Sequence, residues 1–206
     1  MRLLAFTIAL VHTIAALGEE PARKLETLLL LPEPRAMRTA LSTAPEGSKL
    51  TVLTPARESA SNPSKIETYT EDAFKALGLS LDTFIKRAAT SADKRLAALK
   101  PELIRDDQGR VLYAVYRGDS ELFATLLLAP SLPKLFEPMF GKEIWAALPD
   151  RHALYLFPAK SPSLIEFTED LAERFNSDPF AASPEIFSLQ EGRQPRVIGA
   201  FAGPEG

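Results

Sequence analysis

Residues 143–180 constrain this chain more than any other stretch. They read as strand, tight turn, strand and amphipathic helix in immediate succession. Ile144-Trp145-Ala146-Ala147-Leu148 is a continuous apolar run of strand length, broken by Pro149-Asp150-Arg151. His152-Ala153-Leu154-Tyr155-Leu156-Phe157 is a second run, closed by Pro158. Two such runs joined by turn residues predict a hairpin buried on both faces or nearly so. A helix follows and stops at Asp178-Pro179. Ser161 before Pro162 fits an N-cap with proline at the first helical position. Ser163 with Glu166 offers a competing capping box. Leu164, Phe167, Leu171 and Phe175 recur at three- and four-residue steps, and Ile165 and Ala172 widen the stripe. Glu166, Glu169, Asp170, Glu173 and Arg174 fall mostly on the other side, as expected of one apolar and one solvated face. Burying four large side chains contributes about 1.5–3 kcal/mol each before entropy is counted. The helix therefore has to dock, and the hairpin is the nearest apolar surface.

The rest of the chain supplies material to extend or cover that unit. Its 206 residues suit one ordinary domain, and 46% hydrophobic with 25% charged residues is a normal globular balance. Residues 1–18 stand apart. Arg2 precedes a mostly apolar stretch to Leu17, Ala16-Leu17-Gly18 ends in small residues, and Glu19-Glu20-Pro21 follows. The apolar core is short for a membrane span and fits a secretory signal cleaved after Gly18. Cleavage takes 18 of the 206 residues and the charge of Arg2, leaving 188 residues and moving the net charge from −3 to −4. A mildly acidic chain has no general attraction to nucleic acid or anionic lipid. With no cysteine, it has neither a disulfide framework nor a lipid-bearing cysteine, and the core must hold the domain alone.

Taken in order, residues 21–31 predict a helix ended by Pro32-Glu33-Pro34, and residues 35–43 a second short one. Residues 50–53 read as a short strand and residues 55–64, rich in Ser, Ala and Pro, as a mobile loop or linker. The expected boundaries are a signal at 1–18, a variable N-terminal segment at 19–64, the main domain at 65–201 and a flexible tail at 202–206. Thr70 and Ser80 read as N-caps of a short and a longer helix, with Gly78 between them as a stop and Pro101 beyond. A meander of strands at 102–105, 111–116 and 122–128 follows. Residues 130–141 form a proline-interrupted helical segment stopped by Gly141, and last strands are expected at 186–190 and 196–201. Strands next to strands with helices at the ends predict an α+β fold with a largely antiparallel sheet in a single main domain.

The motifs from Tyr69 onward resemble a known family in their order. Tyr69-Thr70-Glu71-Asp72, Leu77-Gly78-Leu79-Ser80, Leu148-Pro149-Asp150-Arg151, Leu156-Phe157-Pro158, Asn176-Ser177-Asp178-Pro179-Phe180 and Ser183-Pro184-Glu185-Ile186-Phe187 together look like the bacterial YtpQ-like family over residues 69–190. That family has no settled activity, so the resemblance implies a fold unit and supplies no catalytic residues. The N-terminal third and the signal-like segment depart from its pattern.

Chemistry is sparsely signalled. His152 is the one histidine left after cleavage, and with no cysteine it cannot build a typical zinc site. No Gly-x-Ser-x-Gly elbow and no phosphate-binding glycine loop occur. Asp150, Arg151 and His152 are the candidate binding residues, as a polar cluster in a cleft, although hairpin turns select such residues in any case. Asp106-Asp107 with Asp119 and Glu121 could set carboxylates at neighbouring turn ends for weak calcium binding or acid/base work, or simply solvate the turns. Arg117-Gly118-Asp119 fits a strand-to-strand turn. Tyr113, Tyr116, Phe123, Trp145 and Tyr155 either line a groove or form core. The expectation is an exported envelope protein, secreted or periplasmic. It would have a non-catalytic binding or protein-interaction role, an envelope protein partner, no cofactor, no nucleic acid and no membrane span after cleavage. The alternative is an envelope hydrolase using carboxylates at strand-turn ends.

Overall fold

Between residues 28 and 202, the span that the computed structural model describes, the chain builds two antiparallel sheets. The first has the order β1-β2-β3, from Leu29–Pro34, Thr51–Glu58 and Ile66–Thr68. Helices α1 (Glu71–Lys75) and α2 (Leu81–Ala98) follow. The second sheet uses β4 (Glu102–Arg105), β5 (Val111–Arg117), β6 (Glu143–Ala147), β7 (Ala153–Pro158), β8 (Glu185–Gln190) and β9 (Arg196–Ala200). Its order is β4-β5-β7-β6-β8-β9. A 3₁₀ segment, Phe123–Leu128, and α3 (Leu132–Phe140) connect β5 to β6. Helices α4 (Pro162–Glu166) and α5 (Thr168–Ser177) connect β7 to β8. The fold is α+β. The expected signal, the first part of the expected helix at 21–31 and most of the tail lie outside the described residues.

The hairpin at the centre forms as its two apolar runs require, with Ala146 opposite Leu156 and Trp145 opposite Phe157. Both runs are continuous because side chains alternate between two covered faces. On one face Leu154 and Leu156 join Tyr116, Leu126, Phe136 and Phe187 beneath the 3₁₀ segment and α3. On the other, Tyr155 and Phe157 join Leu164 and Leu171 beneath α4 and α5. The five aromatics divide accordingly: Tyr116 and Phe123 pack on the first face, Tyr113, Trp145 and Tyr155 on the second. They form core on opposite sides of the sheet and line no shared groove. Tyr116 is buried against the edge of Phe136, and its hydroxyl has no hydrogen-bond partner. Burial pushes that phenol up to about 12. A buried unpaired hydroxyl is a net cost, so Tyr116→Phe is expected to stabilise the protein by about 1 kcal/mol in urea unfolding. A destabilised variant would mean that the hydroxyl has a partner in solution.

Several expected elements take another form. The helix predicted to Leu31 is replaced, from Leu29, by strand β1. Pro32 and Pro34 sit inside a strand that pairs only with β2 among the described residues, and an edge strand tolerates the missing N–H groups. Residues 35–43 give a single 3₁₀ turn, Arg35–Met37, and Thr43 then bridges to Leu53. The expected loop at 55–64 loses Pro55 through Glu58 to β2, which pairs with β3. Residues 122–128, expected as a strand, form the 3₁₀ segment instead, with Ala124, Thr125, Leu126 and Leu127 buried. A short run buried all round gives no period by which to tell the two apart.

The helix after the hairpin divides at Phe167, whose backbone (φ −92°, ψ 1°) ends α4 and starts α5. Ser161 is the cap used, accepting from the Ser163 N–H at 3.2 Å, and Ile165 is 75% exposed outside the buried stripe. Thr70 and Ser80 cap α1 and α2 as expected, accepting from the Ala73 and Thr83 N–H groups. Gly141 stops α3 at φ 86°, ψ −176°, a region open essentially to glycine alone. No neighbour stands within 4 Å of a Cβ placed there. Gly141→Ala is therefore expected to cost about 1–3 kcal/mol through backbone strain alone, seen as a lower urea midpoint with unchanged slope. A cost near zero would show the turn relaxing to another conformation.

Candidate functional site

The β6–β7 turn carries Asp150, Arg151 and His152 and does not project as a free loop. It is laid against residues 180–183, which lead into β8. The Arg151 N–H donates to the Phe180 carbonyl at 3.0 Å, the Ala182 N–H to that of Pro149 at 3.0 Å, and the Ser183 N–H to that of Leu148 at 3.0 Å. Asp150 is fully buried. One of its oxygens accepts from the His152 N–H at 2.8 Å, and the other accepts from Arg174 Nε and Nη2 at 3.0 and 2.6 Å. Arg174 reaches this point from α5 and lies over the Tyr155 ring. Burial pulls its guanidinium down, and the hydrogen bond and charge of Asp150 more than reverse that, leaving it raised.

Arg151 points the other way, toward the first sheet. Its Nη2 meets Glu33 Oε1 at 2.9 Å and its Nη1 lies 3.6 Å from Glu121 Oε2. Glu121 also accepts from the Lys65 ammonium at 2.8 Å and the Ile66 N–H at 3.2 Å. Glu33 and Glu121 are almost wholly buried. Burial pushes the Glu33 carboxyl up; the Thr54 hydroxyl and the Arg151 charge oppose this, and it stays raised. Burial also pushes Glu121 up, but the Lys65 hydrogen bond, the Ile66 N–H and the charges of Lys65 and Arg151 outweigh it and hold it low. Arg151 Nε is buried without a partner. The Phe180 ring closes the cluster, with Lys65 Nζ at 4.9 Å, Arg151 at 5.8 Å and the His152 ring edge-on at 5.9 Å.

The three candidate residues are thus adjacent but serve separate contacts. Asp150 faces α5, Arg151 faces the first sheet, and His152 packs on Phe180. Glu33, Lys65, Glu121 and Arg174 complete the cluster from positions that no local pattern joins to the turn. Each carboxylate here meets a cation, so the arrangement can clamp two sheets and a helix together. Of the turn carboxylates, Asp106 and Glu121 do not converge. Asp106 is held by Arg110 within its own turn at one end of β5, and Glu121 lies beyond the other end, about 20 Å away along a seven-residue strand. That is too far for a catalytic carboxylate pair, whose members lie about 5–9.5 Å apart. Arg117 of the Arg-Gly-Asp sequence is paired with Glu102 at 2.7 Å. Among the described residues, no group of three or more histidine, aspartate or glutamate side chains is placed to hold a metal ion.

Sequence reading missed a groove of about 340 Å³ on another part of the surface. Its floor and walls include Leu30 of β1, Ile85 of α2, Leu127 of the 3₁₀ segment and Leu189 of β8. Lys86 and Arg193 stand at its margin. Four segments far apart in sequence build it, so no local spacing announces it. Comparisons with protein-family models, with curated proteins and with solved structures give no match to this chain.

Proposed function

We propose that the chain is an exported, non-catalytic binding domain of a bacterial cell envelope, and that residues 69–190 form a YtpQ-like unit within it. The observation that carries the reading is a division of labour. Asp150, Arg151 and Glu121 are turned inward as ion pairs with Arg174, Glu33 and Lys65, while a mainly apolar groove stays open to solvent. An open concave surface with few polar groups is the ordinary form of a small-ligand site. The apolar segment at residues 1–18, ending in Ala16-Leu17-Gly18, supports export. Among the described residues no helix is long and apolar enough to cross a membrane.

Expression of the full chain in a bacterium, followed by intact mass measurement of each cell fraction, tests export. The expected product is a 188-residue chain outside the cytoplasm, cut after Gly18. An uncut 206-residue chain confined to the cytoplasm overturns that part. The binding role is tested by affinity capture from envelope extract, with mass spectrometry of retained proteins and extractable small molecules. Stoichiometric retention of one species supports it, and saturable turnover in a hydrolase substrate screen overturns it.

A further inference from the structure

We propose that the groove between α2, the 3₁₀ segment and the β8–β9 turn binds a small amphiphile with an apolar body and a carboxylate head. A single-chain fatty acid of medium length has that chemistry. The inference rests on the binding-domain reading above and names the ligand class. The groove's volume is near the lower end of the range of about 300–1,000 Å³ seen for small-ligand sites. That is room for one alkyl chain and too little for a two-chain lipid. Leu30, Leu127 and Leu189 are 1–3% exposed and offer a tight apolar floor, with Ile85 and Pro133 on the walls.

The head group follows from charge. The charged residues lining the groove are Lys86 on α2 and Arg193 in the β8–β9 turn, and no carboxylate lines it. Both cations are exposed. The nearest acid in sequence, Glu191, is paired with Lys134 at 3.5 Å. Long cationic side chains lay their stems along apolar surface and keep their heads in water, so they can meet a carboxylate at the groove mouth while the alkyl body lies below. The chain as a whole carries net −3, so this positive margin is local and gives selectivity rather than general attraction to anions. A carboxylate beside lysine and arginine gains hydrogen bonds in which both partners are ionised, whereas an alcohol of the same length accepts only as a neutral group and an ammonium has no acceptor at all.

Calorimetric titration of the full chain with decanoate, decylammonium and decanol, each below its micellar concentration, tests the proposal. Decanoate is expected to bind one per chain, at least about tenfold more tightly than decylammonium. The variant Lys86→Glu/Arg193→Glu, which changes two exposed side chains, is expected to abolish or reverse that preference. Ala89→Trp, on the groove wall, is expected to remove binding of all three. Equal affinity for decanoate and decylammonium overturns the head-group assignment, and unchanged decanoate affinity in both variants overturns the location. Absence of any binding overturns the inference. Capture of a stoichiometric partner from the envelope would then still leave the binding-domain reading standing, whereas turnover in the substrate screen would remove that reading itself.

Discussion

Arg151→Met is expected to destabilise the protein by about 3–5 kcal/mol, because removing one partner of a buried ion pair leaves the other charge uncompensated. The Arg151 side chain is 14% exposed and Glu33 only 4%, so water cannot replace the lost cation at Glu33. Glu121 keeps Lys65 and the Ile66 N–H and suffers less. The deficit should depend on pH, in a direction that can be worked out. Glu33 is already raised above its ordinary value of 4.5 in the folded protein, mainly by burial. A carboxyl raised in the folded state favours folding while it is protonated, and that contribution fades as pH climbs from the unfolded to the folded value. Removing Arg151 raises Glu33 further and extends the window upward. Glu121 is held low, so its contribution is present above its unfolded value and is lost only as pH falls through its folded one. The variant's deficit should therefore be smaller at pH 5 than at pH 8 in urea unfolding. A second change, Glu33→Gln, should recover part of the loss at pH 8 and little at pH 5. A deficit below about 1 kcal/mol, or one indifferent to pH, would show that the cluster is solvated and contributes nothing to the clamp.

That clamp also shows where local reading succeeds and where it stops. The hairpin 143–158 was legible because both its strands are buried on two faces and bounded by proline. The caps at Thr70, Ser80 and Ser161 were legible because one hydroxyl at the right spacing decides a helix start. The turn residues Asp150, Arg151 and His152 were legible as a polar group, but their meaning was not. Glu33 lies 118 residues from Arg151 and Arg174 lies 24 from Asp150, and nothing in either neighbourhood names its partner. Local sequence favours helix over strand β1 because Leu25, Leu28 and Leu29 fall on one side of a helix, while pairing with β2, which settles the matter, is a contact between distant segments. The same holds for residues 122–128, where burial on every side erased the period. The groove is the extreme case, since its walls are ordinary core, helix and turn sequence and only their assembly leaves a gap.

Glu185→Ala is expected to cost about 3 kcal/mol, the other large effect, for a different reason. Glu185 opens β8 at 2% exposure and accepts from three groups of the loop before β2. The Ser48 hydroxyl donates at 2.6 Å, the Lys49 N–H at 2.8 Å and the Leu50 N–H at 3.1 Å. Its own N–H donates to the Ser183 hydroxyl, which meets the Thr51 hydroxyl at 2.6 Å. Truncation orphans two backbone donors at once, and hydrogen bonds to a charged acceptor are worth about 1.5–3 kcal/mol each. Ser48→Ala removes one of the three contacts and should cost about 1 kcal/mol. Glu185→Gln keeps an acceptor oxygen and should fall between the two. The loss should be visible locally, as faster amide exchange at Lys49 and Leu50 in the alanine variant while amides of the β6–β7 hairpin keep their protection. The consequence extends to the groove. Leu30 belongs to β1 and Leu189 to β8, so two of its walls lie on the two sheets that this contact stitches together. Glu185→Ala should then weaken decanoate binding without altering any residue that lines the groove. Unchanged exchange at Lys49 and Leu50 would mean that the sheets are held together by their apolar contacts alone, and that the carboxylate is dispensable to the register between them.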